Sequence, residues 1–162
     1  TAGAIAPLVE PVVNTPVSLN LTSAFAGGAG NPFANSFAGG AGLLSTARDY
    51  SRFLEMLREG GTLDGKRYLS PASVDLMSHD TLVSAPYQAG QGFGLGFRIT
   101  KDPSLMGNLG SVGDYGWGGA YHSTYWVDPK QRLTVVYMTQ LIPAGGLEEQ
   151  AKIRALIYSA LQ

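Results

Sequence analysis

Apolar positions are spaced very differently in different parts of this chain. "STARDYSRFLEMLREGG" puts Tyr50, Phe53, Leu54 and Leu57 at i, i+3, i+4 and i+7, the spacing of one helix face. Thr46 precedes the stripe with Asp49 three residues on, a capping-box-like start, and Gly60-Gly61 follows it as a stop. The spacing predicts an amphipathic helix over 47–59, with Tyr50, Phe53, Leu54 and Leu57 in the core. Arg48, Arg52, Glu55, Arg58 and Glu59 fall off the stripe and are expected on a solvated face.

The period then shortens. Asp64-Gly65, between two short extended pieces, is a strong hairpin signal. Ser70-Pro71 reads as the N-cap and first residue of a short helix reaching about Ser78. "FGLGFRIT" (93–100) has strand character, and its glycines imply bulges or a close backbone approach. "YHSTYWV" (121–127) and "LTVVYMTQL" (133–141) are β-branched and aromatic. The turn at Asp128-Pro129-Lys130-Gln131 between them predicts an antiparallel pair. A last helix is expected over 147–161, laying Ile153, Leu156, Ile157, Ala160 and Leu161 on that sheet. The fold class expected is α+β: an antiparallel sheet with helices packed on it.

Residues 1–42 show no sustained period and carry three prolines in their first 16 residues. An irregular lead over 1–42 is therefore expected, ahead of a domain over 43–162. A lead of that length is unusual in a compact domain and suggests a segment that drapes over other parts of a larger protein.

Composition narrows the chemistry. Eleven basic residues against twelve acidic ones, with no basic run, argue against nucleic acid as a partner. No window approaches about 18 uninterrupted apolar residues, so no membrane span is expected. Cysteine is absent, which excludes disulfides and thiol nucleophiles. His79 and His122 have no ligand spacing, so neither a metal nor a cofactor is expected. His122, Ser123 and Asp128 suggest a triad at first sight. In a strand, however, residues 122 and 123 point to opposite faces, and His122 reads as a sheet-face histidine. Glycine is the outlier, with 22 of 162 residues. Trp117-Gly118-Gly119, at the mouth of a strand, asks for an explanation.

Three ordered stretches supply one. They are "GGAGLLSTARDYSRFLEMLREGG" (39–61), "QGFGLGFRI" (91–99) and "YGWGGAYHSTYWVDPKQRLTVVYMTQ" (115–140). Together they resemble the C-terminal part of the serine β-lactamase and penicillin-binding-protein superfamily, in its class C β-lactamase-like, esterase branch. The resemblance covers about 39–162 and implies a β-lactamase/transpeptidase-like fold. In that family a serine in S-x-x-K attacks an acyl group, a tyrosine motif helps move the proton, and a third motif lines the opposite wall. Trp117, Gly118 and Gly119 match the third motif, implying a substrate-binding wall whose missing side chains let substrate come close. The following Ala120 N–H would then supply one oxyanion-hole donor.

The first two motifs have no counterpart. "STAR" (45–48) carries Arg48 in the lysine place, and no Y-x-N occurs. The resemblance therefore implies an upstream chain or segment carrying the nucleophile and base, and a small ester or amide substrate. Trp117 in place of lysine removes the cationic anchor for a substrate carboxylate, which favours esters over β-lactams. The alternatives are a non-catalytic binding domain of this fold, or a β-lactamase or D-amino-acid peptidase of the same superfamily.

Overall fold

The computed structural model describes residues 45–82, 87–141 and 146–161. The lead expected at 1–42 lies outside them. Helix α1 spans Ala47–Arg58, and the Thr46 side chain caps it by accepting from the Asp49 N–H. Strands β1 (Thr62–Leu63) and β2 (Lys66–Arg67) form the expected hairpin. Asp64 and Gly65 both take positive φ, 48° and 76°, the pattern a two-residue turn needs to match strand twist. Helix α2, Pro71–Ser78, starts at the Ser70 cap as read from the sequence.

The main sheet is an antiparallel meander of β3 (Gln91–Phe93), β4 (Arg98–Thr100), β5 (Tyr115–Gly118), β6 (Thr124–Asp128) and β7 (Leu133–Tyr137), in that spatial order. A short helix α3, Pro103–Met106, lies between β4 and β5, and α4 spans Glu149–Ser159.

Three expectations are corrected. The segment 93–100 is not one strand; it ends β3, turns through Gly94 to Phe97 and starts β4. Gly92 and Gly94 are there for close approach. A Cβ at Gly92 would meet Asp80 at 2.4 Å, and one at Gly94 would meet the Met77 carbonyl oxygen at 2.2 Å. Residues 121–123 belong to a turn, so β6 begins at Thr124, and β7 ends at Tyr137. Tyr115–Gly118 is a full strand paired to β4 and β6, which the glycines had hidden from the pattern.

The two faces of the sheet are built differently. On one, α1 buries Leu54, Met56 and Leu57 against Phe97, Ile99, Tyr115 and Val127. Full burial of one such side chain contributes about 1.5–3 kcal/mol. Met56 joins this core although it lay off the predicted stripe, and Phe53 is half exposed. Glu55 and Arg58 are corrected too. They pair with each other, and Glu55 accepts from Thr134 on β7 at 3.3 Å. The Arg58 hydrogen bond holds the Glu55 carboxyl below its ordinary range.

On the opposite face α4 docks through polar groups. Leu156, expected in the core, is 69% exposed, whereas Arg154 is 7% exposed. The Arg154 guanidinium donates to Asp114 and to the Leu109 carbonyl, each at 2.5 Å, and lies over the rings of Trp126 and Tyr158. Asp114 also accepts from Thr100 Oγ1 at 2.7 Å. Burial pushes its carboxyl up, with Arg154 and Thr100 pulling the other way. Tyr158 donates to the buried Asp128 at 2.7 Å. An apolar period cannot find such a helix face, because its inward residue is charged.

Candidate active site

Strand β5 sets the site. Gly116 lies between Arg98 of β4 and Trp126 of β6 in register. A Cβ there would meet the Tyr125 carbonyl oxygen at 2.1 Å and the Trp126 Cα at 2.8 Å, so packing alone demands glycine. The next two glycines differ. Gly118 and Gly119 have no left-handed φ. A Cβ at Gly118 would meet only the Ser123 carbonyl oxygen, at 3.3 Å, and one at Gly119 only the Ser123 Cβ, at 4.0 Å. Gly119 therefore leaves room that nothing in the described chain uses.

Trp117 is 39% exposed and stacks edge-on to Phe93, with ring centroids 5.1 Å apart. Tyr87 joins the pair, 5.4 Å from Phe93 and 6.3 Å from Trp117. These rings form an aromatic surface beside the end of β5.

Beyond Gly118 the chain turns. Gly119 N–H donates to the Ser123 carbonyl at 2.8 Å, and His122 N–H donates to the Gly119 carbonyl at 3.0 Å. His122 closes the turn at φ 65°, a left-handed position that histidine tolerates better than most side chains. Ala120 is exposed at the tip, and its N–H has no hydrogen-bond partner among the described residues. The tip is clamped. Thr139 N–H donates to Ser123 Oγ at 3.2 Å, Thr139 Oγ1 donates to the Tyr121 carbonyl at 2.6 Å, and Gln150 Nε2 donates to the His122 carbonyl at 2.7 Å. Nothing local marks Thr139 or Gln150 as holding this loop, because their partners lie 16 to 28 residues away.

His122 sits in the turn, not on a strand face, and its Nε2 faces the Glu149 carboxylate on α4. Ser123 is engaged with Thr139, and Asp128 accepts from Tyr158 and from the Gln131 N–H. The three therefore form no triad. Ser45 is exposed just before α1, donating to the adjacent Thr46 carbonyl, and Arg48 is exposed on the first turn. No group of three or more metal-ligating side chains occurs among the described residues, and none of the described helices is long and apolar enough to cross a membrane.

A meander closed by a helix, with a glycine-rich strand end beside it, agrees with one family. The family model described as Beta-lactamase matches residues 6–159. The chain belongs to the Beta-lactamase family. This is a superfamily of serine hydrolases that includes penicillin-binding-protein-like members, and the α+β fold predicted from the sequence is its fold.

Among relatives, Protein Rv1367c of Mycobacterium tuberculosis is 39% identical over 126 residues, 70% of this chain and 31% of that protein. Esterase EstB of Burkholderia gladioli is 29% identical over 110 residues, 67% of this chain and 27% of that protein. Among solved structures, EstCE1, a hydrolase with promiscuous acyltransferase activity, superposes with a TM-score of 0.60 at 29% identity. It covers 74% of this chain and 31% of that one. The chain spans less than a third of the length of each of these family members.

Proposed function

We propose that this chain is the C-terminal part of a serine acyl hydrolase that cleaves carboxylic esters through an acyl-enzyme. The observation that carries the reading is the contrast among the β5 glycines. Gly116 is required by its neighbours and Gly118 is tight against the Ser123 carbonyl oxygen, whereas Gly119 leaves an open approach beside an unbonded Ala120 N–H. Esterase EstB agrees by name with ester chemistry, and EstCE1, a hydrolase with promiscuous acyltransferase activity, agrees with acyl transfer.

In this reading a serine upstream attacks the ester carbonyl as its proton passes to a neighbouring base. The carbonyl π electrons move onto oxygen, and that oxyanion accepts from the Ala120 N–H. Expulsion of the alcohol, which takes the proton, leaves the acyl-enzyme, and water releases the acid in a second such cycle. One preorganised donor at the oxyanion is worth about 3–4 kcal/mol in the transition state. Trp117, with Phe93 and Tyr87 behind it, supplies an apolar wall for the acyl or alcohol group. The aromatic surface would equally suit a non-catalytic binder of the same fold, so the test must read chemistry.

In the complete enzyme, Gly119→Val is expected to slow acylation by an activated short-chain ester roughly a hundredfold, as lost approach and donor imply. Folding is expected to remain intact, since the added Cβ meets nothing closer than 4.0 Å. Unchanged single-turnover acylation in the folded variant rules the wall out. The chain alone is expected to take no label from a serine-reactive phosphonate; stoichiometric labelling with turnover would place the nucleophile within these residues.

A further inference from the structure

The β5–β6 hairpin turns through three residues, Ala120, Tyr121 and His122, between Gly119 and Ser123. A loop of this kind ends on a residue in the left-handed region, where glycine is the default because a Cβ is crowded there. His122 takes that position at φ 65°. Two glycines stand just upstream, at Gly118 and Gly119, yet the chain puts a side chain where one is disfavoured. A non-glycine residue persists in such a conformation only when its surroundings hold it there, and such residues cluster where geometry serves function.

Here the surroundings are the first turn of α4. The His122 side chain is 14% exposed, and its buried Nε2 meets the Glu149 carboxylate. Gln150, the next residue, donates Nε2–H to the His122 carbonyl at 2.7 Å. Ring and backbone of one residue are thus held by two consecutive residues of one helix. The later turns of that helix are anchored at the other end of the hairpin. Arg154 donates to Asp114, just before β5, and Tyr158 donates to Asp128, the last residue of β6. Helix α4 therefore braces the hairpin from its base to its tip. Thr139 holds Tyr121 and Ser123 from the chain after β7, and the Ala120 N–H is left at the tip with no partner among the described residues.

We propose that His122 is a positioning residue for acyl transfer, an assignment that rests on the ester-hydrolase function proposed above. Through Glu149 and Gln150 it fixes the tip, so that the Ala120 N–H stays aimed at the point where the oxyanion develops. An oxyanion donor works by being in place before the charge appears, and a displacement of about 1 Å can cost a hundredfold in rate. The ring is turned to α4 and touches no reacting atom, so the effect belongs to the transition state and not to ester binding. A glycine at 122 relieves the backbone while it frees the tip. Rate then falls without a matching loss of stability, which a packing role alone does not produce.

The test uses the complete enzyme and compares His122→Gly, Glu149→Ala and their double variant. Lys152→Gln, exposed in the first turn of α4, is the control. Single-turnover acylation by an activated short-chain ester, steady-state KM and the rate of inactivation by a serine-reactive phosphonate are measured beside a thermal melt. His122→Gly is expected to melt close to wild type and to hold KM within about twofold, while acylation and phosphonate inactivation slow together, roughly ten- to hundredfold. Glu149→Ala is expected to slow both in the same way, and the double variant to be no slower than His122→Gly. Lys152→Gln keeps the wild-type rates. Unchanged acylation in a folded His122→Gly overturns the proposal. So does a rise in KM at unchanged kcat, which would place the ring against substrate. Losses that simply multiply in the double variant would separate His122 from Glu149 and overturn it too. Should His122→Gly unfold, Glu149→Ala and Gln150→Ala decide by the same readouts. Gly119→Val keeps the two assignments apart. Slow acylation there with a normal His122→Gly ends the positioning role alone, whereas normal acylation in Gly119→Val ends the wall and the positioning role with it.

Discussion

The two faces of this sheet carry helices of nearly equal length, yet they hold them by opposite means. Helix α1 presents Leu54, Met56 and Leu57 to a dry cluster of Phe97, Ile99, Tyr115 and Val127. Helix α4 presents Arg154 and Tyr158 to Asp114, Asp128 and Trp126. The first contact is non-directional and scales with apolar area. The second depends on each donor finding its acceptor, and it breaks when one partner goes. A dry face tolerates shape changes that conserve volume, whereas a polar face tolerates almost no unpaired group. The polar face also retains open space, and the dry face positions the strands that carry Trp117 and Gly118.

The largest effect should come from the polar face. Arg154→Met removes the cation hydrogen-bonded to buried Asp114 and is expected to cost about 3–5 kcal/mol in urea unfolding. Adding Asp114→Asn should recover much of that loss. Simple additivity of the two changes would mean that the pair is not the clasp described.

Leu54→Ala is the matching test on the dry face. Leu54 is 0% exposed, so a loss of about 2–5 kcal/mol is expected. Leu156→Ala on α4 should stay within about 0.5 kcal/mol, because Leu156 is 69% exposed. Comparable losses in the two variants would erase the contrast between the helices.

Gly116→Ala sharpens the comparison at the strand both faces share. The new Cβ meets backbone at 2.1 Å, so overpacking should cost about 1–3 kcal/mol. Gly119→Ala should cost less, and a thermal melt of both variants orders them directly.

A small effect, visible mainly at high pH, concerns Tyr115, whose hydroxyl is buried on the dry side without a partner. Burial pushes its pKa from 10.0 up to about 12. The folded value lies above the unfolded one, so its contribution is fully present below about pH 10 and is lost as pH rises through about 12. Tyr125 and Tyr158 are raised as well and act in the same direction. Tyr115→Phe should therefore differ from wild type by under about 1 kcal/mol at pH 7, yet resist alkaline unfolding better. A larger alkaline loss in Tyr115→Phe would show that the hydroxyl has a partner.

Local chemistry was legible where a residue's neighbours in sequence are also its neighbours in space. Thr46 with Asp49, Asp64-Gly65, Ser70-Pro71 and the Leu54–Leu57 stripe each specify a cap, turn or face within a few residues, and each appears as read. The ordered glycine stretches likewise pointed to the family. The α4 face was not legible. Arg154 is inward only because Asp114 lies 40 residues earlier, and a charge without its partner in view reads as solvent-facing. Nor could the sequence rank its glycines. Gly116 and Gly119 look alike in "GWGGA", and only the strand crossing behind Gly116 makes one indispensable to packing and leaves the other open. Short-range spacing determined α1, α2, the β1–β2 turn and the β6–β7 pairing, since those depend on backbone propensity and period. Tertiary structure decided which charges are buried, which glycines face open space and where the tip loop is clamped, because these depend on contacts between distant segments.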